Sequence, residues 1–168
     1  WKINSQSVAR WMGKADTGYI LSIVQRWRKL QYIWWFRYKR AFTDDGDALG
    51  SLQNEECKID SISQSWATIS GAGNNDKKYI AMESLENHLV DKEIGIIKLL
   101  DPPFEKSKLE PGYIKAYVPG TRENGGQYTH GATWFSKAYF ELKNKEKGIE
   151  ILKLLNPIYH SDTKEKAD

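Results

Sequence analysis

A glycine-rich stretch at residues 112–130 carries the most chemically informative side chains of this 168-residue chain. Within it lie a guanidinium, a carboxylate, a carboxamide and an imidazole, which belong to Arg122, Glu123, Asn124 and His130. Glycine lets backbone N–H groups approach a ligand closely, and a guanidinium can hold an anion through paired hydrogen bonds. The combination predicts a pocket for a sugar and a phosphate, and a simple polar turn is the alternative interpretation.

His130 stands near the start of a predicted helix. The free N–H groups of a helix N-terminus favour anions, so we expect this imidazole to contact phosphate or sugar. A structural histidine is the alternative interpretation. His88 and His160 do not follow a comparable glycine-rich polar segment in the sequence.

A second polar segment, residues 50–60, comes directly before another predicted helix. Its hydrogen-bonding groups could contact sugar hydroxyls, or they could cap the helix. On that helix Gln64 and Trp66 point to different faces, since neighbours two positions apart do not share a face. We expect Trp66 in the core rather than as a stacking platform, which leaves Gln64 as the candidate for a pocket.

Composition excludes several classes of protein. Hydrophobic residues make up 40% and charged residues 28%, as in a soluble globular domain. The single cysteine, Cys57, rules out an intrachain disulfide and a cysteine-based metal cluster. No apolar run reaches the roughly 20 residues that cross a bilayer, and nucleotide-loop, zinc-protease and serine-hydrolase motifs are absent. We expect a cytoplasmic location and no metal.

The first forty residues are basic and aromatic, with nine Lys or Arg, one acid and five of the seven tryptophans. Such a stretch can bind nucleic acid or a membrane surface. No recognised nucleic-acid motif accompanies it, so we expect no nucleic-acid partner. We expect instead that these residues belong to helices whose packing partners lie elsewhere, or that they are poorly native sequence at the edge of a fragment.

The elements that must position the candidate residues are mostly helical. Apolar spacing and turn residues predict helices at 17–33, 59–71, 76–90, 129–142 and 145–155, a strand at 34–43, a turn at 44–47, an extended segment at 94–100 and an irregular segment at 101–126. Two helical hairpins separated by a long loop predict a helical toroid with its site in loops at one end. On the helix at 59–71, Ser63, Ala67 and Ser70 form a small-residue face for close packing. The same spacing places these residues on the apolar, core-facing side of their helices, with Glu86 among them: Ile59, Ile62, Trp66, Ile69, Tyr79, Met82, Leu85, Leu89, Phe135, Ala138, Tyr139, Leu142, Ile149, Leu152 and Leu155.

Taken together, these segments resemble glycoside hydrolase family 94, the inverting β-glucan and cellobiose-type phosphorylases. The similarity is carried by residues 40–46, 50–71, 99–120, 122–134 and 155–158. The forms Cys-Lys-Ile-Asp-Ser and Arg-Glu-Asn-Gly-Gly-Gln-Tyr-Thr-His resemble most the phosphorylase-like catalytic region of cyclic β-1,2-glucan synthases.

The resemblance implies a mainly α fold, part of an (α/α)6 barrel with long irregular loops. Residues 36–160 would be a fragment of that catalytic barrel, residues 1–35 match poorly, and residues 161–168 read as a polar tail. In the family, inorganic phosphate attacks the anomeric carbon of a β-glucan and releases an α-sugar 1-phosphate. Phosphate replaces the attacking water of an inverting hydrolase, so one carboxyl group suffices where two are otherwise needed.

Site residues carry over by motif position. The phosphate-contacting histidine of the family falls on His130, and the basic sugar-contacting residue falls on Arg122. Glu123, Asn124 and Gln64 stand in matched positions and are expected to bind sugar. The resemblance implies no cofactor beyond inorganic phosphate as co-substrate.

The chain departs from the family pattern in two further places. It contains no Asp-Trp-Asn-Asp motif, which holds the general acid of the family, and no Thr-Gly segment after residues 155–158. We therefore assign no catalytic residue and expect this chain to be inactive by itself as a glycosyltransferase or phosphorylase. Expected partners are a β-glucan oligosaccharide and phosphate, and a homo-oligomer or the rest of a parent polypeptide is expected to cover open faces. Membrane attachment of that parent protein is the alternative to a wholly cytoplasmic location. A non-catalytic helical module that binds carbohydrate or protein is the alternative.

Overall fold

The computed structural model describes residues 37–71, 75–161 and 163. Within them the chain is mainly helical. The four α-helices are α1 (Ser61–Ile69), α2 (Asn75–Leu89), α3 (Thr129–Glu141) and α4 (Lys145–Leu155), and two short 3-10 helices span Gly112–Ala116 and Pro157–His160. The four predicted helices in this part of the chain are confirmed to within two residues at each end. The predicted helix at 17–33 lies outside the described residues.

The helices form two neighbouring pairs. Helix α1 packs against both α2 and α3, and α3 packs against α4. This arrangement confirms the two helical hairpins, and it places α1 between helices on two sides. None of the helices in the described ranges is both long enough and apolar enough to cross a bilayer.

Three short antiparallel strand pairs connect the helices. They join β1 (Ala41–Phe42) to β2 (Ala48–Leu49), β3 (Ile59–Asp60) to β6 (Leu100–Asp101), and β4 (Val90–Asp91) to β5 (Ile96–Ile97). In the described part of the predicted strand at 34–43, which begins at residue 37, only Ala41–Phe42 is a strand, and residues 34–36 lie outside the described residues. The predicted turn at 44–47 closes the β1–β2 hairpin. The β3–β6 pair matters most for function, because it holds the start of α1 beside the long irregular segment.

Helix α1 buries its small and polar face most completely, and its apolar face is partly buried, with Ile69 packed against the main core. Asp60 caps the helix by accepting the N–H groups of Ile62 at 2.9 Å and Ser63 at 3.0 Å. The buried residues are Ser61, Ser63, Gln64, Ser65, Ala67 and Thr68. The predicted core positions Ile62, Trp66 and Ile69 are only partly buried. Small side chains allow helices on both sides of α1 to approach it closely, as predicted for Ser63 and Ala67, whereas Ser70 of the predicted small-residue face is exposed.

The main core lies where the four helices meet. It contains Ile59, Met82, Leu85, Leu89, Ile97, Ala132, Phe135, Ala138, Tyr139 and Ile151. Three predicted core residues are wrong, since Tyr79 is 60%, Ile149 48% and Leu152 44% exposed. In α4 the buried side is set instead by Ile151 and Gly148. A side chain at Gly148 would lie 2.8 Å from the Phe140 ring, so this face packs closely on α3.

The irregular segment at 101–126 has a small core of its own. Leu49, Cys57, Leu100, Phe104 and Ile114 form this cluster. The Cys57 N–H donates to the Pro102 carbonyl at 2.7 Å, and the neighbouring Lys58 N–H donates to the Asp101 carbonyl. The predicted irregular conformation is confirmed, and buried side chains and backbone bonds hold it in one shape.

Candidate functional site

The loop that carries the candidate residues is fastened to the segment between β5 and β6. The Leu99 N–H donates to the Gly126 carbonyl at 2.9 Å, and the Ile97 N–H donates to Gln127 Oε1 at 2.9 Å. Gly126 cannot bear a side chain here, because a Cβ would lie 2.8 Å from the backbone nitrogen of Arg122. This close approach explains why the second residue of the Gly125-Gly126 pair is a glycine.

Arg122 and Glu123 form a polar pair at the tip of this loop. Arg122 has the unusual φ of +47°, and its side chain is 67% exposed. Its guanidinium carbon lies 4.7 Å from the centre of the Tyr117 ring, a distance at which a cation is attracted to an aromatic face. Its Nε lies 3.7 Å from Glu123 Oε2. The pair therefore presents an accessible cation backed by an aromatic ring and a carboxylate.

The Glu123 carboxylate is only partly satisfied. Its side chain is 14% exposed, and Oε2 is buried with no hydrogen-bond partner among the described residues. An acceptor in this condition costs free energy until a donor reaches it.

His130 lies in the first turn of α3 and is exposed. The side chain of the N-cap residue Tyr128 makes no cap hydrogen bond to the first turn of α3. The His130 ring centre lies 4.2 Å from that of Trp134, which in turn lies 5.3 Å from that of Trp66. The imidazole thus stands in the first turn of α3 within a row of aromatic rings, with Tyr128 6.3 Å away on one side and Trp134 on the other.

The aromatic row modifies the prediction for Trp66. Trp66 and Trp134 meet edge to face, and both are partly buried. Trp66 is therefore neither fully in the core nor free on the surface. The sequence spacing of these two tryptophans gave no sign that their rings would touch.

Asn124 is enclosed within the loop. It is fully buried, its Oδ1 accepts the Phe104 N–H at 2.7 Å, and its Nδ2 donates to the carbonyls of Phe104 and Tyr117 at 2.8 Å each. Its side chain connects three parts of the irregular segment. Its sugar contact stays a prediction, and the contacts present are internal ones.

Gln64 is also fully buried and bonded within the protein. Its Oε1 accepts the Tyr38 N–H at 2.7 Å, and its Nε2 donates to the Tyr38 carbonyl at 2.7 Å. It therefore fixes the chain before β1 onto α1. The structure brings His130 together with Trp134, and Arg122 with Glu123, whereas the described contacts of Gln64 join neither pair.

The polar segment at 50–60 acts as a helix cap in this structure. Asp60 is fully buried, caps α1 and forms an ion pair with Arg40. Asn54 Oδ1 accepts the Ser51 N–H at 2.8 Å, which closes a turn. The capping interpretation is therefore the one that the contacts favour. Glu56 in this segment has long-range contacts that sequence reasoning missed.

A separate open depression of about 500 Å³ lies along the end of α2 and β4. Its lining includes Glu86, His88, Asp91, Lys92 and Lys98 and none of the candidate residues. In the part of the chain that the structure describes, no three His, Cys, Asp or Glu side chains are grouped as a metal ion requires.

The sequence matches a family of carbohydrate-active enzymes. A family model described as the glycosyl hydrolase 94 superfamily, catalytic domain, matches residues 22–168. The chain is 48% identical over 124 residues to the cyclic beta-(1,2)-glucan synthase of Rhizobium meliloti (strain 1021), which is 74% of this chain and 4% of that protein.

Two phosphorylases are also similar. The chain is 33% identical over 97 residues to the solabiose phosphorylase of Paenibacillus borealis, covering 58% of this chain and 12% of that protein. It is 27% identical over 129 residues to the N,N'-diacetylchitobiose phosphorylase of Vibrio proteolyticus, covering 77% of this chain and 16% of that protein. The chain thus spans between 4% and 16% of the length of these relatives.

Proposed function

We propose, because the chain belongs to the glycosyl hydrolase 94 superfamily, that residues 36–160 are part of an (α/α)6 barrel whose loop at 112–130 binds a β-glucan and inorganic phosphate. The similar proteins are named as a glucan synthase and as phosphorylases, which supports a glycosyl-transfer chemistry that uses phosphate. The two helical pairs of the described chain support a helical toroid.

The observation that carries the proposal is the position of His130 in the first turn of the uncapped helix α3. Backbone N–H groups at a helix N-terminus and an imidazole together suit a phosphate dianion. Arg122 and Glu123, which precede His130 in the same loop, provide an exposed cation and a mostly buried carboxylate beside it for the sugar. Asn124 and Gln64 hold backbone in place through internal hydrogen bonds, and their expected sugar contacts stay predictions.

In the proposed reaction a phosphate oxygen attacks the anomeric carbon of the glucan. The bond from this carbon to the glycosidic oxygen breaks, and the departing oxygen takes a proton from a general acid. The products are an α-sugar 1-phosphate and a shortened glucan. His130 holds the phosphate, while Arg122 and Glu123 hold the sugar.

The general acid is the part that these 168 residues do not supply. The sequence holds no Asp-Trp-Asn-Asp motif, so we propose that this chain binds the ligands without turning them over. Incubating the purified chain with phosphate and a β-1,2-glucan oligosaccharide should release no α-sugar 1-phosphate. Measurable release would overturn this part of the proposal.

Ligand-binding measurements test the roles proposed for His130 and Arg122. Calorimetric titrations with inorganic phosphate and with a β-1,2-glucan oligosaccharide should show binding to the chain. H130A should weaken phosphate binding, and R122A should weaken sugar binding, each on the order of tenfold or more because a charge-assisted contact is lost. K106A is the matched control, since Lys106 is an 84% exposed cation of the same irregular segment. Equal losses in all three variants would refute the assigned roles.

A further inference from the structure

The Glu56 carboxylate accepts three consecutive backbone N–H groups. Oε1 accepts from Lys106 at 2.7 Å, and Oε2 accepts from Glu105 and Ser107 at 2.9 Å each. Successive N–H groups that converge in a turn form a concave anion site. Here the anion is a side chain of the same protein, brought from some 50 residues earlier in the sequence.

The turn that Glu56 holds is bound directly to the candidate site. Phe104, which begins this turn, is buried, and both its N–H and its carbonyl are bonded to the Asn124 side chain. The Asn124 backbone in turn accepts from Gly120 at 2.8 Å and donates to Thr121 at 2.9 Å. These bonds close the tight loop in which Arg122 and Glu123 lie.

The charges around Glu56 favour the ionised carboxylate. Burial acts to raise the pKa of Glu56, but the N–H groups of Lys106, Glu105 and Ser107 and the charge of Lys115 outweigh it and leave the pKa lowered. Lys115 Nζ also donates to the Ser107 carbonyl at 2.7 Å. The side chains of Glu105 and Lys106 are mostly exposed, and an ion pair of 3.8 Å joins them.

We propose that Glu56 is a positioning residue for the ligand loop, because its carboxylate fixes the turn at 104–107 and Asn124 transmits that position to Arg122 and Glu123. The inference rests on the proposed function for what the loop binds. The mechanical connection between Glu56 and the loop is a property of the chain itself, and it can be measured without a ligand.

The connection is tested by following the Glu56 side-chain carboxyl carbon and the backbone amides by NMR, from about pH 7 down to about pH 3. We expect the chemical shifts of the amides of residues 105–107 to change with pH around the titration midpoint of the Glu56 carboxyl group. The amide shifts of Phe104, Arg122 and Asn124 should change around the same midpoint. These pH-dependent shift changes should vanish in E56Q. They should persist in the control variant E55Q, which removes the same charge from the exposed neighbour Glu55.

The wild-type titration needs no folded variant, so it decides the inference even where E56Q is too unstable to assign. The inference is overturned when residues 105–107 follow Glu56 and residues 122–124 do not. It is equally overturned when no amide at 105–107 follows the carboxyl carbon.

Binding of inorganic phosphate and a β-1,2-linked glucose disaccharide supplies the second readout. We expect E56Q to bind the disaccharide on the order of tenfold more weakly, because small displacements of positioned groups cost that much or more. E55Q should match the wild type, and E56D, which keeps the charge, should recover part of the loss. Wild-type affinity in E56Q would contradict the inference. Absence of binding to the wild type would refute the proposed function, and the amide titration would still decide the positioning role.

Discussion

Replacing Asn124 by alanine tests how the ligand loop is held together. The substitution removes three hydrogen bonds of 2.7 to 2.8 Å that join this side chain to Phe104 and Tyr117. It leaves one backbone N–H and two carbonyls without their partner in the buried interior of the segment. Little else changes, because the rest of the Asn124 side chain is small.

The magnitude follows from the groups left behind. An unsatisfied buried donor or acceptor costs about 1–3 kcal/mol. Water entering the space relieves part of this cost, so we expect N124A to lower the free energy of unfolding by about 3 kcal/mol in total. For a chain of this size that corresponds to a fall of about 6–12 °C in the melting temperature.

The assay is thermal and urea unfolding followed by circular dichroism. N87A is the matched control, since Asn87 is exposed on α2, and we expect it to change the melting temperature little. The reasoning is refuted when N124A unfolds at the same temperature as N87A. A fall confined to ligand affinity, with stability unchanged, would also contradict it.

Three further predictions concern other parts of the described chain. Burial acts to raise the pKa of Glu86, but hydrogen bonds from Lys147, Tyr139 and Lys92 lower it on balance. Its stabilising contribution is therefore present above the ordinary glutamate pKa of about 4.3 and is lost as pH falls through the folded value. Urea unfolding should show E86Q less stable than E83Q at about pH 7 and equal to it at about pH 2; a constant difference would contradict this. G126A should destabilise the chain by about 1–3 kcal/mol in thermal melts, because its Cβ would meet backbone at 2.8 Å, and an unchanged melt would disprove that steric account. Burial, with a smaller effect of the Asp60 charge, raises the pKa of the Cys57 thiol to about 12. The Cys57 thiol of the folded chain should therefore react slowly with a thiol reagent at about pH 8, and it should react rapidly once the chain is unfolded. Fast reaction in the folded chain would contradict the burial of this thiol.

Helix positions could be predicted from the sequence because they depend on local patterns. Gly71 after α1 and Pro157 beyond α4 mark helix ends by their own chemistry. Helix faces were harder to predict, because they depend on neighbours. Ile149 and Leu152 have the spacing of a buried stripe, yet the close contact between Gly148 and Phe140 turns Ile151 inward instead.

In the candidate site, likewise, the residue types could be predicted from the sequence, whereas their contacts could not. Arg122, Glu123 and His130 were recognisable because their types and order in a glycine-rich loop suggest ligand chemistry. The positioning contacts of Glu56 were not, because its partners lie some 50 residues away and are backbone groups, which no side-chain pattern reveals. Asn124 looked like a ligand residue by type, and only the structure shows that its amide is bonded internally.

The central claim is that phosphate binds at the N-terminus of α3 beside His130. The most direct measurement is the change in amide and imidazole NMR shifts of the full chain as inorganic phosphate is added. The account predicts that the largest changes fall on the amides of residues 129–131 and on the His130 ring, and that H130A removes them. Changes spread over exposed lysines such as Lys106, or no change at residues 129–131, would contradict it.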